Sequence, residues 1–245
     1  MNFSSHKMSQ YSYRSNSERQ STTNRRRVFL NPYSTYLGKE SSGTQKGEIL
    51  GQLYSWGTDQ YGQLGLEYFI THKQMGAHSS LKVLQPRLTV PLKDELIKEV
   101  CCGYAHTLVI NQFGHMYSWG HNDCGQLGIG LDNVPDVVRY PVLNTHIKNV
   151  AKLAAGHEHS LALTKTQELF VWGTGSLTGL DVDDVVPVPT LLDFFKKAKA
   201  STTPTSQANK ISLIACGGLH TAVVTQDGEL FTWGSTEGGQ LGHEI

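Results

Sequence analysis

Leu53-Tyr54-Ser55-Trp56-Gly57, followed seven residues after the tryptophan by Gln63-Leu64-Gly65, decides the fold, because the chain writes this phrase four times. It returns as Met116-Tyr117-Ser118-Trp119-Gly120 with Gln126-Leu127-Gly128, as Leu169-Phe170-Val171-Trp172-Gly173, and as Leu230-Phe231-Thr232-Trp233-Gly234 with Gln240-Leu241-Gly242. A second column locks to the first: Gly103-Tyr104-Ala105-His106-Thr107, Gly156-His157-Glu158-His159-Ser160 and Gly217-Gly218-Leu219-His220-Thr221. Each of these histidines stands 13 residues before its tryptophan, whereas the step from a tryptophan to the next histidine runs 50, 40 and 48 residues. The unit is therefore a rigid His-to-Trp half joined by elastic loops. Self-similarity at a period of roughly 50 residues is the sequence signature of solenoids and propellers.

Between histidine and tryptophan lie two short runs rich in β-branched and aromatic residues, Thr107-Leu108-Val109-Ile110 and Met116-Tyr117-Ser118-Trp119, separated by a turn at Asn111-Gln112-Phe113-Gly114. That pattern predicts a β-hairpin. In the last copy Asp227-Gly228 supplies the positive φ of a tight turn. No copy carries a helix pattern. The glycine after each tryptophan marks a place where a side chain does not fit.

These motifs resemble the regulator of chromosome condensation repeat family over about residues 48 to 245. The resemblance implies an all-β propeller of seven four-stranded blades, of which this chain carries about four. Neither WD40 nor kelch units fit the columns. Light-sensing members of the family carry extra tryptophans in Gly-Trp-Arg-His-Thr runs, but those positions here hold Tyr104-Ala105, His157-Glu158 and Gly218-Leu219. Trp56, Trp119, Trp172 and Trp233 are thus expected to be core anchors. His106, His159 and His220 are expected to be buried imidazoles that bond between strands.

Residues 1–47 are Ser, Asn, Gln, Thr and Arg with few aliphatics, and are expected to be a disordered tail. Up to Lys39 this tail holds seven basic residues against Glu18 alone, in a chain whose 21 Lys and Arg balance 21 Asp and Glu. Its densest point, Arg25-Arg26-Arg27, suggests contact with an acidic partner such as nucleic acid or chromatin. The propeller repeats occupy 48–245. Thirteen residues before Trp56 stands Gly43, with no Gly-x-x-His-Thr strand around it, so the first blade is expected to be incomplete and the arc open. An open arc exposes unpaired strand edges.

The long spacer 66–99 carries Tyr68, Phe69, His72 and Lys73, which are candidates for partner recognition. The third copy departs from the pattern: Gly175-Ser176-Leu177-Thr178-Gly179-Leu180 replaces the Gln-Leu-Gly loop, and Asp181, Asp183 and Asp184 follow as further candidates for docking. Gly173-Thr174-Gly175 imitates a dinucleotide fingerprint but lacks the helix that would hold a pyrophosphate. A low-complexity run from Lys196 to Lys210 reads as a surface insertion.

Cys101, Cys102, Cys124 and Cys216 show no C-x-x-C spacing and are expected to be reduced thiols, consistent with a cytoplasmic or nuclear location. His157 and His159 are two apart in a predicted strand, which would put both on one face. No catalytic elbow, zinc motif or P-loop is present, and no cofactor or metal is expected. No apolar run reaches the length of a membrane span. The expected function is a protein-interaction scaffold that docks a partner through inter-blade loops. The resemblance implies, as alternatives, guanine-nucleotide exchange on a Ran-like small GTPase, or chromatin association through the tail.

Overall fold

The computed structural model describes residues 26–31, 34–37, 50–66, 82–197 and 210–242, with the backbone alone for the first two stretches and for 196–197. The fold is all-β, built as consecutive antiparallel blades. The second blade is β5 (Ile97–Cys102), β6 (His106–Asn111), β7 (Met116–His121) and β8 (Val137–Leu143). The third is β9 (Val150–Ala155), β10 (His159–Thr164), β11 (Leu169–Gly173) and β12 (Val186–Leu191). The fourth is β13 (Ile211–Cys216), β14 (His220–Thr225) and β15 (Leu230–Gly234). Within each, successive strands pair as a meander.

The two sequence columns coincide with one register. His106 pairs with Gly120, His159 with Gly173 and His220 with Gly234. Each outer strand shifts register where it passes the tryptophan, between Ser118 and Gly120 and again between Val171 and Gly173. Those outer strands hold prolines, Pro141 in β8 and both Pro187 and Pro189 in β12. An edge strand tolerates proline because its outward N–H is not needed by the ladder.

The first blade differs. Its Trp strand β3 (Gly51–Thr58) pairs with the outer strand β4 (Lys82–Leu88) as in the other copies. On its other edge it pairs with β1 (Arg26–Asn31), which runs parallel to it, and β1 pairs in turn with β2 (Ser34–Leu37). These strands lie inside the stretch expected to be a disordered tail. They draw on its few β-formers, Val28-Phe29-Leu30 and Tyr36-Leu37, which an average over the whole tail dilutes.

The core sits between blades. Leu53, Ile97, Val109 and Trp119 pack the first junction. Leu108, Ile110, Met116, Val150 and Trp172 fill the second. Leu161, Val171, Ile211 and Val223 fill the third, joined by a T-shaped cluster of Phe194, Phe195 and Phe231. Successive residues of β6 thus face two different neighbours, which is why every residue of that strand is buried. Two single helical turns appear that the sequence pattern did not predict, α1 (Gly175–Thr178) and α2 (Phe194–Lys197). No described helix is long and apolar enough to cross a membrane.

Candidate protein-docking face

The meander places the Gly-x-x-His loops, between first and second strands, at the same end of each blade as the Gln-Leu-Gly loops, between third and fourth. Local hydrogen bonds build this face. In the Gln loops, the Gln63 side chain accepts from the Tyr61 amide at 2.9 Å and Gln126 accepts from the Cys124 amide at 2.9 Å. Asp59 and Asn122 accept from the Leu64 and Leu127 amides at 2.9 and 3.1 Å. The chain leaving each Trp strand is tied to the neighbouring His loop, with His121 N donating to Ala105 O, Thr174 N to Glu158 O and Ser235 N to Leu219 O.

Contacts between blades use the backbone carbonyl of the loop glutamine. The Trp119 indole and the Thr107 hydroxyl both donate to Gln63 O at 2.9 Å, and the Trp172 indole and Ser160 hydroxyl both donate to Gln126 O at 2.9 Å. The glycine two places later lets the indole approach: a Cβ at Gly65 would lie 2.7 Å from Trp119 Nε1, and one at Gly128 would lie 2.8 Å from Trp172 Nε1. The glycine after the tryptophan is dictated separately. At Gly120, φ is +110° and a Cβ would stand 2.4 Å from Ala105 O, a contact no side chain permits.

The repeated histidines extend this network. His106 Nε2 lies 2.8 Å from Ser160 Oγ, and His159 Nε2 lies 3.0 Å from Thr221 Oγ1. Because Ser160 gives its proton to Gln126 O, His106 must be the donor, which fixes the Nε2–H tautomer. Burial, with His159 and His121 nearby, pushes the His106 imidazole down to about 3. Burial likewise lowers His159 to about 4, helped by His220 and His157 and opposed by a hydrogen bond to the His220 backbone. Both therefore stay neutral near pH 7.

The histidine pair of the third copy separates. His157 is exposed and lies against Tyr104 with ring centroids 5.0 Å apart and planes tilted by 49°, while His159 is buried in the junction. His157 belongs to the loop before β10 rather than to the strand, so the two-residue alternation does not apply. Among the described residues no group of His, Cys, Asp and Glu could hold a metal. Cys101, Cys102, Cys124 and Cys216 are free, and burial pushes Cys102 up to about 11 and Cys216 up to about 12.

On the outside of this scaffold Tyr104, 70% exposed, leans on His157. Tyr61 leans on His121 at 4.6 Å, and His121 Nδ1 stands 3.1 Å from Asp123. Neither cluster was singled out in the sequence; for Tyr104 and His157 the variable positions between the glycine and histidine of each copy were the available signal. Asp181, Asp183 and Asp184 are exposed on the loop after α1, on the same face. With Asp123, Asp132, Asp136, Glu158 and Glu237 they make this an acidic surface, since its described loops hold no Lys or Arg. Arg139, from β8, turns its guanidinium to the Asp59 and Gln60 carbonyls. Tyr68, Phe69, His72, Lys73 and Arg25 lie outside the described residues. Arg26 and Arg27 open β1, opposite Gly51 and Gln52 of β3.

Comparison with known proteins agrees with this geometry. The profile of the regulator of chromosome condensation (RCC1) repeat matches residues 51–110 and 114–163, and a second profile of the same repeat matches 97–126, 150–177 and 211–240. The chain is 32% identical over 194 residues to the probable E3 ubiquitin-protein ligase HERC6 of Homo sapiens, covering 79% of this chain and 17% of that protein. It is 31% identical over 192 residues to the ultraviolet-B receptor UVR8 of Arabidopsis thaliana, covering 78% of this chain and 39% of the receptor. Among solved structures, Prp20p of Saccharomyces cerevisiae superposes with a TM-score of 0.58 at 25% identity, over 78% of this chain and 43% of Prp20p. The chain thus spans less than half the length of each of these relatives.

Proposed function

The chain belongs to the regulator of chromosome condensation (RCC1) repeat family, and on that footing we propose that it is a protein-docking module whose acidic loop face receives a basic surface of its partner. The observation that carries this reading is the charge of the face: eight exposed carboxylates, Asp123, Asp132, Asp136, Glu158, Asp181, Asp183, Asp184 and Glu237, stand in described loops that lack Lys and Arg. A rigid scaffold presenting one sign of charge steers an oppositely charged partner and sets its orientation. A Ran-like small GTPase is the first partner we infer, with guanine-nucleotide exchange as the consequence of docking. The family resemblance supports it, and so does the description of Prp20p by its binding to Gsp1p and histones. Exchange of this kind works by loosening a nucleotide site and needs a docking face rather than acid or base residues.

Release of labelled GDP from a panel of small GTPases tests the reading. We expect acceleration for a Ran-type member that weakens with added salt, and a loss of at least about tenfold in Asp181→Asn/Asp183→Asn/Asp184→Asn, since steering charges act mainly on association. Unchanged release across the panel, together with no salt-dependent capture of any of these GTPases, would sink the exchange reading. Histones are a second reading on the same charge argument, distinguished by binding that persists without nucleotide. Nucleic-acid contact through Arg25, Arg26 and Arg27 is a third reading, carried by the basic composition of the tail alone. A nuclear or cytoplasmic location accompanies each of these readings.

A further inference from the structure

The residues that directly follow the glycine of each Gly-x-x-His loop, Tyr104, His157 and Gly218, form one row across three blades. Each is tied to the next by its backbone: Tyr104 N donates to Gly156 O at 3.0 Å, and His157 N donates to Gly218 O at 2.8 Å. The rings follow the same order. The Tyr104 phenol lies against the His157 imidazole, and the imidazole in turn covers Gly218, where a Cβ would stand 2.8 Å from His157 Nε2. Gly218 is thus the floor on which the imidazole rests, and the imidazole props the phenol. Yet Tyr104 is 70% exposed, so this support holds an aromatic ring out to solvent instead of burying it. The blade itself does not require the ring: the neighbouring Ala105 and His106 are buried, and the fourth copy fills the same column with glycine.

Two carboxylates accompany the row. Glu158 follows His157, with Oε2 3.2 Å from Thr174 Oγ1. Asp123 sits on the loop whose His121 N donates to the carbonyl of Ala105, the residue after Tyr104. Both carboxylates act on the Cys124 thiol, which places them over one junction. Both are exposed, and the described loops of this face supply no Lys or Arg to lie on the ring. An exposed phenol beside acidic groups suits a cation from outside, but the two basic side chains are not equivalent there. A guanidinium is planar and weakly hydrated, so it lies flat on an aromatic face while its edge still donates to a carboxylate, whereas an ammonium keeps its water. A ring already held in place loses little freedom on binding, as interface anchors require.

We propose that Tyr104, propped by His157, is the arginine-reading anchor of the docking face: a partner's guanidinium lies on the phenol ring and donates to the accompanying carboxylates. The inference rests on the acidic loop face being the docking surface, and it adds which basic side chain that surface selects. Hexa-arginine and hexa-lysine peptides carry equal charge and serve as the probes, measured on the full chain at low salt. Steering by charge alone binds the two alike; the anchor should make hexa-arginine bind about three- to tenfold more tightly. Tyr104→Ala should bring hexa-arginine down to the level of hexa-lysine, with the affinity for hexa-lysine and the melting temperature little changed, and Tyr104→Phe should keep the preference. Asp181→Asn/Asp183→Asn/Asp184→Asn should weaken both peptides by a similar factor. Equal affinities in the wild type, or an arginine preference that survives Tyr104→Ala, would overturn the anchor and leave the acidic face standing. Salt-dependent binding of neither peptide would overturn the face as well.

Discussion

Strands β6 and β14 carry nearly the same sequence, His106-Thr-Leu-Val-Ile-Asn and His220-Thr-Ala-Val-Val-Thr, yet every residue of β6 is buried whereas β14 alternates between buried and half-buried. The β15 strand goes further: Leu230 is 64% exposed where its column mates Met116 and Leu169 are 0% and 1%. The strands are alike and their neighbours are not. A blade packs one face against the blade before it and the other against the blade after, and among the described residues β13 to β15 have only the first. Burial in this fold is therefore a property of junctions, and stability should be distributed accordingly, as nearest-neighbour terms of a repeat array.

The most severe way to test that contrast is to remove indoles from the two settings. Trp119 is fully buried and its N–H is satisfied by Gln63 O, so Trp119→Ala should cost about 3–5 kcal/mol. Trp233 is half-buried and its Nε1 has no partner among the described residues, so Trp233→Ala should cost on the order of 1–2 kcal/mol. Urea unfolding of both variants measures the difference. Equal losses would mean that the fourth blade is packed as fully as the second.

A finer probe uses two glycines with the same backbone. Gly128 and Gly242 have φ of +70° and +73°, so alanine is strained at both. Only Gly128 has the next indole against it, with a Cβ 2.8 Å from Trp172 Nε1, while nothing lies within 4 Å of a Cβ at Gly242. Gly128→Ala should cost roughly 2–4 kcal/mol, strain plus overpacking, and Gly242→Ala about 1 kcal/mol, strain alone. A melting-temperature comparison decides it, and similar shifts would show that the junction yields.

Acid should also strike the junctions. His159 binds a proton in the folded chain only near pH 4, against an ordinary value of 6.5, so as pH falls the unfolded chain takes up that proton first. The stability that its neutral burial confers is present above about pH 6.5 and drains away between there and about pH 4. Asp59 and Glu99, raised mainly by burial, act in the opposite sense, but they are present in every variant and cancel in a difference. His159→Gln should therefore lower stability at pH 7.5 by on the order of 1–3 kcal/mol through an unfilled hydrogen bond, yet show a flatter loss toward pH 4. An unchanged acid slope would mean that His159 opens to solvent.

Much of this was legible beforehand because each motif residue answers a constraint that repeats with the blade. Trp119 and Gly128 recur because an indole N–H must reach a loop carbonyl past a residue without a Cβ. The same register pairing carries His106, His159 and His220. What escaped the reading does not repeat. The parallel strand β1 replaces a histidine strand with Arg26–Asn31, which shares no motif with the other copies. Tyr104 on His157 and Tyr61 on His121 join side chains from different blades, 53 and 60 positions apart, through geometry that no local pattern encodes. In the third copy Leu177-Thr178-Gly179 stands where Gln-Leu-Gly is expected: Gly179 still receives the next indole, but the turn before it is the helical α1, and Trp233 Nε1 has no partner among the described residues.

The smallest expected effect is the most telling. Leu169 and Leu230 open their Trp strands at the same position and are the same residue, so intrinsic strand propensity cannot distinguish them. Leu169→Ala should cost about 2–5 kcal/mol, because Leu169 is one of the residues closing the core between the third and fourth blades. Leu230→Ser exchanges an exposed side chain for a polar one and should change stability by no more than about 0.5 kcal/mol. Its effect should appear instead in association. Leu213, Leu219 and Leu230 are 56%, 41% and 64% exposed on the fourth blade, and apolar surface of that kind favours contact between molecules. Sedimentation of wild type and Leu230→Ser at matched concentrations should show less self-association in the variant at equal melting temperature. If the variant instead unfolds several degrees earlier, Leu230 is covered in solution, and the fourth blade has the same two-sided burial as the second and third.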